Sequence, residues 1–246
     1  MTLTPLPPHP QLNRYYKSDA ERPAIVREMF NEGAPYYEQI CRAMSFGTGE
    51  RYRKQALLDG GLRPGMRILD VATGTGLVLR SATAITGDSG LAVGLDPSVG
   101  MLRECRKSCP AALLQGFGEQ LPFADESFDM VSMGYGLRHV ADLRTLFAEY
   151  YRVLKPEGRI LLLEITQPQS PVGRWLNRLY LRTVVPRMSR VGTRAVAASR
   201  MMEYFWDTIE TCVPPQVILD ALEGAGFRDA KRRVTGGVLS EYRSAK

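Results

Sequence analysis

Residues 66–76 read M-R-I-L-D-V-A-T-G-T-G, and this stretch decides the fold. Its apolar residues lie between Pro64-Gly65 and two glycines, which is typical of a buried strand that ends in a tight turn. Gly74 and Gly76 supply the turn, because a residue without a Cβ adopts backbone angles that others avoid and lets a ligand approach the main chain. The apolar spacing that follows predicts a helix over residues 77–86. The loop therefore leads to a helix N-terminus, where free N–H groups and the helix dipole favour a bound ligand.

A second buried strand over residues 90–95 ends in Asp96, which stands 20 residues after Gly76. In a doubly wound sheet, an acidic side chain at this point reaches the hydroxyls of a ribose. Dinucleotide oxidoreductases and S-adenosylmethionine (SAM) methyltransferases both use such a site. The loop has the spacing D-x-x-x-G-x-G instead of G-x-G-x-x-G, and Asp70 would repel a diphosphate but suits a cationic amino-acid group. The sequence therefore favours a SAM methyltransferase.

Length and composition fit one α/β protein of 246 residues with 44% hydrophobic content. No run of about 18 apolar residues is present and the first ten residues lack the apolar core of a signal peptide, so we expect a cytoplasmic protein. The four cysteines lack metal-ligand spacing, so we expect no metal.

Residues 1–22 are predicted to form a flexible tail, and residues 23–246 a single domain with a helical cap over residues 23–60.

The net charge of +6 is concentrated in one segment. Residues 170–202 contain seven arginines and no acid, so the rest of the chain sums to 6 − 7 = −1. The arginines are Arg174, Arg178, Arg182, Arg187, Arg190, Arg194 and Arg200. We interpret residues 170–204 as a basic helical insertion whose aromatic and cationic face suits an anionic membrane surface. A solvated charged face is the alternative, and a patch confined to one segment argues against nucleic acid as a partner.

The rest of the chain alternates strand and helix patterns, which predicts a seven-stranded, mostly parallel sheet with helices on both faces. A fourth strand over residues 128–133 delivers Arg138 and His139 to the ligand crevice, since open α/β sheets bind ligands at the carboxyl ends of their strands. A fifth strand carries Glu164 near its end. Residues 227–243 indicate a closing antiparallel pair of strands.

Several stretches resemble the ubiquinone/menaquinone biosynthesis C-methyltransferases over about residues 26–246. They include M-S-F-G, I-L-D-V-A-T-G-T-G, G-L-D-P-S-V-G-M-L, E-Q-L-P-F-A-D-E-S-F-D, Y-G-L-R-H-V, Y-R-V-L-K-P-E-G-R-I-L-L-L-E-I and Y-F-W-D-T-I-E. That family transfers a methyl group from SAM to a ring carbon of a polyprenyl benzoquinol or naphthoquinol. The resemblance implies the Rossmann-like fold of class I methyltransferases with an antiparallel C-terminal strand, SAM as cofactor, and a quinol or related aromatic acceptor.

The resemblance also implies roles for individual residues. Cofactor contacts would fall on Asp70, Ala72, Thr73, Gly74, Gly76, Asp96, Pro97, Met101, Phe117, Gly118, Glu119 and Met133. Substrate contacts would fall on Tyr37, Met44, Phe46, Tyr135, Glu164 and Tyr204. Three positions depart from the family pattern: Leu77 and Phe117 replace residues that are usually acidic or amide, and His139 replaces an asparagine.

Methylation of a quinol carbon needs removal of a phenolic proton, so that negative charge reaches the ring. His139, with an unperturbed pKa of about 6.5, suits a general base, and Arg138 would stabilise the phenolate. A purely structural, hydrogen-bonded role for His139 stays open. So do an O- or N-methyltransferase of a small soluble metabolite, a non-catalytic SAM-binding scaffold, a membrane-binding regulator and a homodimer.

Overall fold

The structure is a computed structural model of the chain, and it describes residues 4–45, 47–167, 170, 173 and 195–246. The described helices are α1 (Arg22–Met44), α2 (Gly49–Asp59), α3 (Leu77–Thr86), α4 (Val99–Arg106), α5 (Leu143–Val153), α6 (Ala195–Thr211) and α7 (Pro215–Gly224). The strands are β1 (Arg67–Val71), β2 (Leu91–Asp96), β3 (Ala112–Gln115), β4 (Phe128–Gly134), β5 (Leu154–Ile165), β6 (Arg228–Thr235) and β7 (Leu239–Ala245). A short 3₁₀ helix, Leu137–His139, follows β4.

The seven strands form one sheet in the order β3-β2-β1-β4-β5-β7-β6. Neighbours from β3 to β5 pair in parallel, whereas β7 runs antiparallel to both β5 and β6. The predicted Rossmann-like α/β class, with its antiparallel C-terminal strand, is confirmed. Because the chain leaves β1 toward β2 and later returns to β4 on the other side, the topological switch point lies between β1 and β4. Sheets of this type bind their ligands there.

Apolar side chains cover both faces of the sheet. On one face α5 and α7 pack around a cluster that includes Phe147 and Leu222, and on the other α2 and α3 pack around Leu57 and Leu79. A third cluster joins α1 to α6, and α1 also contacts α4. These contacts hold α1 beside the end of the sheet where the switch point lies.

The segment predicted to be a flexible tail, residues 1–22, contacts the rest of the domain at the residues that the structure describes, from residue 4 onward. The N–H of Leu6 donates to Oδ1 of Asp142 at 2.7 Å. His9 is 1% exposed, and its Nε2 lies 2.8 Å from Nη2 of the buried Arg22. Hydrogen-bonding and aromatic side chains between the prolines account for this packing, which the Pro-rich composition did not reveal.

Two predictions lie wholly or mainly outside the described residues. The first is the substrate contact at Phe46. The second is the basic insertion over residues 170–204, of whose seven arginines the described part of the chain includes Arg200, an exposed residue of α6. None of the described helices is both long enough and apolar enough to cross a membrane.

Candidate active site

A cavity with about 820 Å³ of empty space opens at the carboxyl ends of β1, β2 and β4. This volume includes space open to solvent, and clefts at such switch points are where small-molecule ligands bind. Nine of the twelve residues predicted to contact the cofactor line it: Ala72, Gly74, Asp96, Pro97, Met101, Phe117, Gly118, Glu119 and Met133. The sheet topology therefore brings together residues from four separate loops at the predicted place.

Asp96 is buried at the end of β2 and presents its carboxylate to the cavity. Its Oδ2 accepts a hydrogen bond from the N–H of Gly74 and its Oδ1 accepts one from the N–H of Ser98, each at 2.8 Å. Each carboxylate oxygen has a further lone pair, so the group can still accept two ligand hydroxyls. Burial raises the pKa of Asp96 to about 6, although both N–H groups act in the opposite direction. A ribose diol fits this arrangement.

Asp70 supports the glycine loop from below instead of lining the cavity. Its Oδ2 accepts a hydrogen bond from Oγ1 of Thr73 and its Oδ1 accepts one from Oγ of Ser132, both at 2.7 Å. Burial raises the pKa of Asp70 to about 6. Asp70 and Thr73 therefore shape the loop, and the predicted direct contact of either side chain with the cofactor is not seen in the cavity lining.

Four residues around the switch point adopt positive φ angles. At Gly76, with φ of 86°, an added Cβ would lie 2.5 Å from Sγ of Cys105, so this glycine serves packing and also lies outside the cavity lining. At Gly74 an added Cβ would meet no protein atom within 4 Å, which shows that the backbone here borders open space. Ala72 (φ 52°) and Tyr135 (φ 63°) directly follow β1 and β4 and line the cavity. The left-handed conformation costs a non-glycine residue about 1–2 kcal/mol.

The far end of the cavity suits a flat base. Met101 is buried in its wall, and Phe117 is 39% exposed at its rim. At Gly118 a Cβ would lie 2.6 Å from Cδ1 of Leu146, so only glycine fits there without a shift. Together with Asp96, these residues fit the adenosine part of SAM.

His139 lines the cavity beside α1. Its ring lies 5.0 Å from that of Phe30, 5.4 Å from that of Tyr204 and 6.2 Å from that of Phe205, measured between centroids. Neither ring nitrogen has a hydrogen-bond partner among the described residues. Burial, with the charge of Arg138, lowers the pKa of His139 well below 6.5. The ring is therefore neutral at pH 7 and can accept a hydrogen bond, although it is a weak base.

Arg138 points away from the cavity, so the prediction that it contacts a developing phenolate does not hold in this geometry. The side chain is 0% exposed, and its Nε donates to Oε2 of Glu164 at 2.8 Å. Its Nη1 donates to Oγ1 of Thr208 at 2.7 Å and to the carbonyl of Phe205 at 3.1 Å. These acceptors tie the cation to β5 and α6.

The residues predicted to contact the substrate divide into two groups. Tyr37 and Tyr135 line the cavity. Glu164 and Tyr204 are buried behind its wall, where they hold the neighbouring arginine and the imidazole of His139. Met44, at the end of α1, packs at the edge of the α1–α6 cluster. Contact of Glu164, Tyr204 or Met44 with a substrate is therefore not part of this geometry.

Helix α1 supplies cavity residues that sequence analysis did not single out. They are Pro23, Val26, Arg27 and Phe30. The helical periodicity identified the apolar face of this segment. Which residues of that face reach the cavity depends on the docking of α1 against α4 and α6, which periodicity does not determine.

Comparison with known proteins identifies the family. The ubiE/COQ5 methyltransferase family matches residues 16–246. This chain belongs to the ubiE/COQ5 methyltransferase family. The resemblance read from the sequence is confirmed, as are the predictions of a methyltransferase and of SAM as its cofactor.

Relatives of this ubiE/COQ5 family member cover most of its length. The ubiquinone/menaquinone biosynthesis C-methyltransferase UbiE of Syntrophotalea carbinolica is 36% identical over 223 residues, which is 88% of this chain and 92% of that protein. The demethylmenaquinone methyltransferase of Chlorobaculum parvum is 34% identical over 213 residues, or 84% and 86% of the two chains. A SAM-dependent methyltransferase structure from Aquifex aeolicus shares the fold, with a TM-score of 0.62 at 17% identity over 85% of this chain and 97% of that one.

Proposed function

We propose that this ubiE/COQ5-family enzyme transfers a methyl group from SAM to a ring carbon of a quinol or related aromatic acceptor. The observation that carries the proposal is the wall around His139, where Val26, Phe30 and Tyr37 give an apolar, aromatic surface beside an imidazole that has no hydrogen-bond partner among the described residues. Such a surface suits a flat ring that carries a hydroxyl group. The names of the relatives point to the same class of acceptor.

The charges of the cavity argue against a cationic amine as acceptor. The acidic residues in the described part of the cavity lining are Asp96 and Glu119. Each already accepts a backbone hydrogen bond, that of Glu119 coming from the N–H of Ala141 at 2.7 Å. A buried ammonium would need an anionic partner near the reacting end, because an isolated charge is costly to bury.

When bound, SAM supplies an activated methyl group on a cationic sulfur, so transfer forms a carbon–carbon bond and breaks the sulfur–carbon bond, whose electron pair stays on sulfur. The protein has to orient this group, exclude water and increase the electron density of the acceptor ring. Asp96 would hold the ribose, and Met101 with Phe117 would pack on the adenine. The loop backbone at Gly74 leaves room for the remainder of the donor.

His139 would act on the acceptor. A neutral imidazole accepts the hydrogen bond of a ring hydroxyl, and the hydroxyl proton moves toward the ring nitrogen as the ring carbon attacks the methyl group. The proton on the methylated carbon then leaves to water, which restores the aromatic ring, and the hydroxyl proton returns from the imidazole to the ring oxygen. The lowered pKa of His139 favours partial proton transfer, so the imidazole polarises the hydroxyl more than it ionises it.

We further propose that the enzyme works in the cytoplasm at a membrane surface, with residues 170–204 as the contact. The support is the run of seven arginines without an acid over residues 170–202, and the polyprenyl tail of the acceptors that the family resemblance implies. A homodimer stays a prediction.

The test is a product analysis. The enzyme is incubated with methyl-labelled SAM and, separately, a short-chain quinol, a soluble phenol and a small amine, and mass spectrometry locates the label. We expect label on a ring carbon of the quinol. Label on oxygen or nitrogen would replace the proposal with the corresponding O- or N-methyltransferase. Binding of SAM without any product would favour the non-catalytic scaffold.

A further inference from the structure

A buried cation lies beside the glycine loop. Arg53 of α2 is 8% exposed, and its Nε donates to the backbone carbonyl of Leu77, the first residue of α3, at 3.2 Å. None of the ion pairs in the described part of the chain includes Arg53. A guanidinium is costly to bury without an anion. The charge of Arg53 acts on the buried Asp70, but no carboxylate of the described residues lies within ion-pair distance of the guanidinium, so it can bind a further anion.

The surroundings of Arg53 also favour an anion. Helix α3 begins after Gly76, and in the part of the chain that the structure describes no side chain caps its N-terminus. In the same loop the hydroxyl of Thr75, a residue 1% exposed, has no hydrogen-bond partner among the described residues. A helix N-terminus, a hydroxyl and a guanidinium together form the donor set that carboxylates and phosphates bind.

Two connections join this donor set to the cavity. Gly74 lines the cavity and donates to Asp96, and the loop runs from Gly74 to the residue that Arg53 contacts. Tyr135, which also lines the cavity, faces Arg53. Burial raises the pKa of Tyr135 to about 12, and the guanidinium opposes that shift through charge and a hydrogen bond. Arg53 and Leu77 line a neighbouring cavity, so the site of the ribose and the site of the cation lie at two ends of one loop, and the donor would reach Arg53 past Gly74 and Tyr135.

We propose that Arg53 binds the carboxylate of the amino-acid moiety of SAM. That carboxylate is the one anionic group of the donor, which otherwise carries a sulfonium, an ammonium and the neutral adenosine. The proposal rests on SAM as the cofactor. It concerns how the donor is held and does not depend on the acceptor.

The test compares SAM with decarboxylated SAM, which keeps the sulfonium, the ammonium and the adenosine but lacks the carboxylate. Titration calorimetry without acceptor measures both dissociation constants. We expect the wild-type enzyme to bind SAM roughly 10- to 100-fold more tightly than decarboxylated SAM. In Arg53→Gln this preference should fall to about twofold or less, because SAM affinity drops while the affinity for decarboxylated SAM stays within about twofold of wild type.

The control is Arg51→Gln, which removes an exposed arginine from the same helix and should leave both affinities unchanged. Equal weakening of both ligands in Arg53→Gln would assign Arg53 to folding alone and overturn the proposal, as would equal binding of both ligands by the wild-type enzyme. If the glutamine variant does not fold, Arg53→Lys is used instead, because it keeps the charge but loses the planar guanidinium. An undiminished preference for SAM over decarboxylated SAM in this variant would contradict a guanidinium–carboxylate contact. Failure of quinol methylation would leave these binding results unaffected, so the two proposals are tested separately.

Discussion

The guanidinium of Arg138 and the carboxylate of Glu164 form a buried ion pair, with Nε 2.8 Å from Oε2 and side-chain exposures of 0% and 5%. The other oxygen of Glu164 accepts a hydrogen bond from the N–H of Leu137 at 2.9 Å. Through Thr208 the same guanidinium reaches α6. The pair thus joins the 3₁₀ helix that carries His139 to β5 and α6, and it positions the cavity wall.

Removing the anion of this pair should destabilise the protein strongly. Glu164→Ala leaves the buried Arg138 cation without its carboxylate, so the free energy of unfolding should fall by about 3–5 kcal/mol in urea denaturation. As a control, Asp125→Ala breaks an exposed pair with Arg152 and should cost less than about 1 kcal/mol. Equal stability of the two variants would show that the Arg138–Glu164 pair does not hold the wall in place.

Binding of SAM should weaken as the pH falls through about 6. The carboxylate of Asp96, with its pKa raised to about 6 by burial, is protonated below that pH and then accepts ribose hydroxyls less well. The effect of Asp96 on the free energy of unfolding has the opposite pH dependence. The folded state holds this proton more tightly than the unfolded chain, so the contribution of Asp96 to stability falls as the pH rises from about 4 to 6.

Calorimetry between pH 5 and 8 measures the first effect. Asp96→Asn should bind SAM more weakly than the wild type and lose most of the pH dependence of the affinity. If the variant keeps the full pH dependence, another group is responsible, and the neighbouring Asp70, whose pKa is also about 6, becomes the candidate.

Loss of the imidazole should affect turnover more than donor binding. In His139→Ala turnover should fall roughly 100-fold, at the lower end of the range for proton-transfer groups, because the lowered pKa makes this residue a weak base. Because burial and the charge of Arg138 lower the pKa of His139 well below 6.5, its own titration should not change wild-type turnover between pH 7 and 8. His139→Asn keeps a hydrogen-bond acceptor and should be intermediate. Turnover at the wild-type level in His139→Ala would assign the residue to packing against Phe30 and Tyr204.

The arginine segment should bind anionic vesicles. A triple variant with Arg174, Arg178 and Arg182 changed to Gln should lose much of its flotation with phosphatidylserine vesicles, since each basic residue near such a surface contributes about 1 kcal/mol. Turnover of a soluble short-chain quinol should stay the same.

The matched control changes three exposed arginines elsewhere, Arg51, Arg103 and Arg228, to Gln. This variant has the same net charge as the first and should float like the wild type. If both triple variants lose flotation equally, the overall charge attracts the protein to vesicles and the segment has no special part.

Local signals in the sequence were sufficient for the parts of the fold that depend on neighbours along the chain. The strand, glycine loop and helix at residues 66–86 occur as predicted. Two helix N-caps are local in the same sense: Oγ of Ser98 accepts from the N–H of Met101 at 3.1 Å, and Asp142 accepts from two N–H groups at the start of α5. Periodicity and capping are properties of a few adjacent residues, so one sequence contains them.

The direction of polar side chains at the strand ends was not predictable in the same way. Nη2 of Arg22 donates to the carbonyl of Arg138, 116 positions away, and Arg138 in turn donates to Thr208, 70 positions further on. Such distant partners decide whether a residue faces the cavity or the interior. Their positions near the ends of two strands predicted that Arg138 and Glu164 lie close to the cavity. These positions did not predict that the two side chains pair with each other.

Ala72 and Tyr135 keep their left-handed backbone conformation through the sheet that holds β1 and β4 side by side at the register Val71–Met133. The walls around the donor are therefore preorganised, and binding needs little loss of backbone entropy. Association of SAM should accordingly proceed as a single kinetic step whose rate is proportional to ligand concentration, without the plateau that a slow opening of the loop would impose.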